Sequence, residues 1–252
     1  MDMNSKKDSM HQYFFCAFND ICNACINNIG NGLFSDFLPR MLFLQQSIEK
    51  VSKGVVVSLT KRIKIKDHNI YNTLKHCNNE KIIKGCNEIS KDFFIKNHLY
   101  EECFPFEDKI TVDSFNSIFL IEFQNILEQS FFQARYLDGE WLHATSSAYY
   151  YNIDIVISCL KLFEYIYSYT NPEIKPEWLD GFSMKSIKDY CRNSQGDAGK
   201  NIRAGYLVEC LKNNNIDEYI YNVFEPEFYF YSFFLHKRDI KFPKKWEKFM
   251  DS

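Results

Sequence analysis

Phe37 to Leu74 reads FLPRMLFLQQSIEKVSKGVVVSLTKRIKIKDHNIYNTL, and three segments succeed one another in it. The first is an amphipathic helix, the second a basic connector, and the third opens with a His at the mouth of another helix. Met41, Leu44, Ile48, Val51 and Val55 recur at spacings of three and four, which places them on one side of a 3.6-residue helix. Lys50 and Lys53 then fall elsewhere on its surface, where they are expected to be free to meet water or an anion. Pro39 suits a first helical turn, where its missing N–H costs nothing, and Ser35 or Asp36 can cap. The spacing predicts a helix from about 36 to the region of 59.

Working outward, the same period recurs on both sides. Phe14, Phe18, Ile21, Cys22, Cys25 and Ile29 share a face of a helix over 11–29, and Gly30-Asn31-Gly32 is a terminator. A third helix starts at His68 or Asn69, with Ile70, Leu74 and Cys77 as its buried stripe, and 81–99 forms a fourth, less regular one. Pro105 marks a connector, and Thr111 or Asp113 starts a long helix through Ile118, Phe119, Phe123, Ile126, Leu127 and Phe131. Asp138-Gly139 turns the chain, Thr145 or Ser146 caps a helix to about Tyr169, and Ile153, Val156, Leu160 and Phe163 point inward from it. Pro172 and Pro176 break the pattern, so a boundary is placed there: a helical bundle over 10–171, then a C-terminal helical region over 172–252. In that region Ser183 caps a short helix to about Cys191, and a further helix runs from Ala198 to Asn213. The expected class is all-α, an antiparallel helical bundle with a C-terminal helical extension.

The order of Gln45, Gln46, Glu49, Lys50 and Lys53, followed by a short connector and His68-Asn69-Ile70, resembles the HEPN superfamily (higher eukaryotes and prokaryotes nucleotide-binding domain). Its pattern is a Q-Q-A-x-E-K-x-x-K helix, then His-Asp-Leu opening the next helix. Ala134-Arg135-Tyr136 is similar to a family Ala-Arg-Tyr-Pro turn, with Leu137 in place of the Pro. The resemblance spans roughly residues 10 to 170. It implies an all-helical bundle that forms a homodimer and binds a nucleotide or the phosphates of RNA. Ribonuclease members of the superfamily use an Arg, four to six residues, then a His, with a polar residue after the Arg. Two placements compete. Arg62 and His68 have five residues between them, although Ile63 is apolar; Arg135 and His143 lie nearer the expected place in the bundle, with seven between them.

Composition bounds these readings. A chain of 252 residues can bury about 70–75% of its unfolded surface. Hydrophobic residues at 46% and charged ones at 25% are ordinary for a globular protein. The 24 Phe and 16 Tyr are read as core, with base stacking by runs such as Tyr149-Tyr150-Tyr151 or Phe228-Tyr229-Phe230-Tyr231 as the alternative. Thirty basic against 33 acidic residues give a net charge of −3, so the chain as a whole has no general attraction to nucleic acid and any anion site is local. Nine scattered Cys suggest reduced thiols and a cytoplasmic location. Cys22-x-x-Cys25 lacks a second pair at zinc-ligand spacing and reads as a core pair; no metal and no cofactor are expected. No secretory leader is evident and no apolar run reaches the ~20 residues of a bilayer span, so no membrane partner is expected.

The chemistry-bearing residues allow two kinds of role. Cleaving RNA needs a base or acid and a cation near the phosphorus, which a His with an Arg supplies. His68 equally suits a structural task, capping an N–H or bonding a neighbouring helix. Lys50, Lys53, Lys61, Arg62, Lys64 and Lys66 converge on the end of the helix and its connector, with Arg135 near if the bundle closes as in the family. The phosphate-binding set is therefore Lys50, Lys53, Arg62, His68 and Arg135, against a plain solvated basic face. Gly196 to Lys200 fails as a P-loop for want of a preceding strand. His236-Lys237-Arg238 with Lys241, Lys244, Lys245 and Lys248 interleaves with Phe242, Trp246 and Phe249 as an amphipathic docking segment or a strand grip. Three functions follow: a non-enzymatic nucleotide- or RNA-binding module, a metal-independent ribonuclease of a toxin or defence system, and a scaffold that binds a protein partner through 172–252.

Overall fold

Helix α1, Met3–Ile26, begins well before the stripe over 11–29, and its Met10, Phe14, Ala17, Phe18, Ile21 and Cys25 are buried. The computed structural model describes residues 3–26, 34–60, 62, 64–97, 99, 112–136, 152–170 and 197–220. Among them every regular element is a helix: α2 Phe34–Leu59, α3 Ile70–Lys75, α4 Glu80–Lys96, α5 Val112–Tyr136, α6 Asn152–Ser168 and α7 Asp197–Lys212. None of the described helices is long and apolar enough to cross a membrane.

The hub is α2, which packs against α1, α3, α5 and α6. Met41, Leu44, Ile48, Val51 and Val55 are fully buried, as their spacing predicts. Burial continues round the helix to Ser47, Ser52, Lys53 and Ser58. The three hydroxyls are tolerated there because each donates to a carbonyl of its own helix, at Leu44 (2.8 Å), Ile48 (2.8 Å) and Val55 (2.7 Å). Starting at Phe34, the helix includes Ser35 and Asp36 and places Pro39 inside, which corrects the capping and first-turn expectation. The Pro39 ring is exposed, so the missing hydrogen bond falls on the water side.

Contacts at both ends give three helix pairs their direction. Lys6 donates to the Ser58 carbonyl, Lys50 pairs with Asp20 and Arg40 donates to the Ala24 carbonyl, so α1 and α2 run antiparallel. Phe14 meets Tyr167 and Phe18 meets Phe163, edge to face at 5.3 and 4.9 Å, which opposes α1 to α6. Lys96 pairs with Asp154 while Tyr165 Oη donates to the Lys81 carbonyl, which opposes α4 to α6. Helix α4 also packs on α5, where Phe93 meets Phe123 at 5.0 Å and Asn87 Oδ1 accepts from the Phe119 and Leu120 N–H groups.

The largest fully buried side chains are all Phe or Tyr, so the described aromatics build the core. Their packing demands glycine where helices come closest. A Cβ on Gly54 would lie 2.5 Å from the ring of the buried Phe14, and one on Gly85 would lie 2.1 Å from the Tyr165 ring. Beyond the boundary placed at 172, α7 packs on α1 and α6, burying Tyr206, Leu207, Cys210 and Leu211, and the Ile216 N–H donates to Glu164 at 2.6 Å. Helix α7 starts at Asp197, one residue before the expected Ala198. The capping by Thr145 or Ser146, the short helix over 183–191, the aromatic runs at 149–151 and 228–231, and the basic cluster at 236–248 lie outside the described residues.

Candidate functional site

The connector leaves α2 through Thr60, whose hydroxyl bonds back to the Val56 carbonyl at 2.7 Å and accepts the Arg62 N–H at 3.1 Å. Along 64–66 exposure alternates: Lys64 is exposed, Ile65 buried and Lys66 exposed. Arg62 is exposed as well. The segment is closed at its far end by Asn69, which caps α3 by accepting the Asn72 N–H at 2.8 Å. Gln124 of α5 receives the Ile70 and Tyr71 N–H groups at 2.8 and 3.2 Å, so two orphan donors of α3 are met from another helix. The third helix is only six residues long, ends before Cys77, and holds its place through these bonds.

His68 is not the cap. Its Nδ1 lies 3.0 Å from Oε1 of Glu49 on α2, with 82% of its side chain exposed. Glu49 also takes Lys53 Nζ at 2.7 Å and Gln45 Nε2 at 3.2 Å. A carboxylate only accepts, so the His68 Nδ1 carries a hydrogen, and in the neutral ring Nε2 is left as a base on the water side. Among the described residues Nε2 has no hydrogen-bond partner. Beneath it, Gln124 Nε2 donates to Glu128 at 2.7 Å. Burial raises the Glu128 pKa, and the neighbouring Glu49 charge raises it too, against the Gln124 bond and His68, which lower it.

The paired lysines correct the expectation of free cations on α2. Lys53 is 6% exposed at its side chain and Glu49 12%. A buried ammonium of this kind requires its counter-charge. Lys50 bonds Asp20 of α1 and, at 3.2 Å, Gln46. Burial raises the Asp20 pKa, and the Lys50 hydrogen bond and charge work the other way. Lys50 therefore ties α2 to α1, while Lys53 is paired within α2 itself.

Of the remaining expected site residues, Arg62 and His68 stand on one connector, with no hydrogen bond or ion pair between them among the described residues. Arg135 lies in the last turn of α5, its side chain outside the described residues, and His143 lies outside them altogether. Cys22 and Cys25 are buried in the core; burial pushes the Cys22 thiol up to about 12 and raises Cys25 too, and the Cys22 Sγ faces the Ala204 carbonyl at 3.8 Å. Among the described residues no group of three His, Cys, Asp or Glu could hold a metal ion.

Gln124 and Glu128 escaped the sequence reading. They sit on a helix 54 residues beyond the Ile70 amide that Gln124 receives, and no local pattern announces that contact. The Gln45, Glu49 and Lys53 chain was accessible from its i, i+4 spacing. No protein-family model matches the chain, nor does any curated protein or solved structure.

Proposed function

We propose that the chain is a helical module that binds the phosphates of a nucleotide or RNA along the connector of residues 62–68, acting as a homodimer of the kind its resemblance to the HEPN superfamily implies. One observation carries this reading. Arg62, Lys64 and Lys66 are exposed, while Ile65 below and the Glu49–His68 pair at the end hold the strip against the body. Exposed cations clustered on one short segment make a local anion surface on a chain of net charge −3. Lys50 and Lys53 leave the contact set and become its support. Arg135 stays in it as the residue the family turn supplies.

Calorimetric titration with ATP, GTP and a short RNA tests the reading. Binding to the wild type is expected, with at least about a tenfold loss of affinity for the short RNA in Arg62→Ala with Lys66→Ala, equivalent to about 1.4 kcal/mol. Lys53→Met is expected to leave the affinity of the folded protein unchanged. No heat with any of the three ligands overturns it.

The Glu49–His68 pair favours a second reading, the metal-independent ribonuclease. A carboxylate that orients an imidazole leaves the far nitrogen ready to take a 2′-hydroxyl proton, and Arg62 on the same connector supplies the cation. Cellular RNA incubated with the protein in EDTA should then be cut, and His68→Ala should abolish the cutting. Intact RNA at high protein concentration removes this reading and leaves the binding module standing.

A further inference from the structure

A half-open groove of about 630 Å³ lies where α3, α4 and α5 meet, and its walls include Lys75, Lys81, Lys84, Glu80, Asn116 and Ser117. Three lysines and one glutamate line it. Six other described lysines, Lys50, Lys53, Lys91, Lys96, Lys161 and Lys212, each form an ion pair with an acidic side chain, whereas Lys6, Lys7, Lys64 and Lys66 share the unpaired state among the described residues. Lys75, Lys81 and Lys84 are exposed and have no acidic partner among the described residues, although Lys75 lies over the Tyr71 ring, 5.2 Å from its centre. The amide of the exposed Asn116 adds a hydrogen-bonding group on the α5 wall. The first turn of α4, a 17-residue helix, opens on the same space and adds the positive end of its dipole to the field.

We infer that this groove is a second anion site, one that takes a compact phosphate-bearing molecule with two or more phosphates. Its volume lies within the range of small-ligand sites, roughly 300–1,000 Å³. Three flexible lysines suit a polyphosphate, whose several charges meet several point cations, better than a single carboxylate. The site is independent of the connector: it requires none of Arg62, Lys64, Lys66 or His68, and stands or falls separately from the phosphate reading of that strip.

Titration calorimetry with inorganic pyrophosphate and with ADP, on the full chain, tests it. Both probes should still bind the Arg62→Ala, Lys66→Ala protein, in which the connector cations are removed, and adding Lys81→Glu with Lys84→Glu should weaken each at least about tenfold. Lys84→Gln, a single change at an exposed position, should weaken them severalfold and covers the case in which double reversal disturbs the fold. Pyrophosphate binding without ADP binding still supports the site and limits it to polyphosphates without a nucleoside. No binding of either probe at 1 mM overturns the inference, as does binding that survives the groove changes or falls only with the connector changes; the last result would instead support the connector.

Discussion

The two halves of the Phe37–Leu74 stretch carry similar cations to opposite ends. On α2, Lys50 and Lys53 are drawn into ion pairs with Asp20 and Glu49. On the connector, only a few residues further, Arg62, Lys64 and Lys66 stand in water. The difference is one of surroundings. Four helices pack on α2, so a lysine on almost any side of it meets protein and keeps its charge only beside a carboxylate. The connector touches the body through Ile65 alone in 64–66, and its alternation turns the flanking cations outward. A count of basic residues is therefore no measure of an anion site; the partners within about 4 Å decide it.

The largest way to break this contrast is Glu49→Ala. It strands the Lys53 ammonium in the interior and removes the anchor of His68, and should cost about 3–5 kcal/mol in urea denaturation. A loss under about 1 kcal/mol would mean that Lys53 reaches water and that the two halves are alike. Next comes Gln124→Leu, which leaves the Ile70 and Tyr71 N–H groups unbonded. About 1–3 kcal/mol should be lost, with faster hydrogen exchange at those two amides. Unchanged exchange would show that α3 is held by something else.

Much of this architecture could be read from the chain, for identifiable reasons. The α2 stripe, the α5 stripe through Phe119, Phe123 and Leu127, and the α6 stripe through Val156, Leu160 and Phe163 follow from periodicity, which packing only confirmed. The shortness of α3 did not show, because its ending is set by the left-handed turn at Asn78, φ 50°, and its start by Gln124. Lys53 was misplaced because a stripe locates one buried face, and the second buried face of α2 arises from helices far along the chain. His68 was half legible: the bond to a neighbouring helix was foreseen, whereas the cap fell to Asn69.

Smaller effects sharpen the contrast. Glu128→Gln keeps an acceptor for Gln124 and removes an acid whose folded pKa is raised, chiefly by burial, above its ordinary 4.5. Between those two values the folded state holds more protons than the unfolded one, so this group makes stability fall as pH rises through the window and leaves the full cost above it. The variant should flatten the stability profile upward from pH 4.5 and gain at most about 0.5 kcal/mol at neutral pH, since solvent screens a half-buried group. A steeper profile would reverse the assignment. Smallest of all, Arg62→Ala, Lys64→Ala and Lys66→Ala together should shift stability by no more than about 0.5 kcal/mol, because exposed side chains without partners contribute little to folding. A larger loss in thermal melting would place those cations in the structural class with Lys53.

The salt dependence of binding tests most directly whether the connector cations, and not the α2 lysines, meet phosphate. A short single-stranded RNA titrated over a range of salt gives a slope of log K against log salt, to which each phosphate-contacting cation contributes about 0.7. Removing Arg62, Lys64 and Lys66 together should lower that slope by about 2 and weaken binding at every salt concentration, while Lys53→Met leaves both unchanged. An unaltered slope in the connector variant, or a slope that drops with Lys53→Met, contradicts the account.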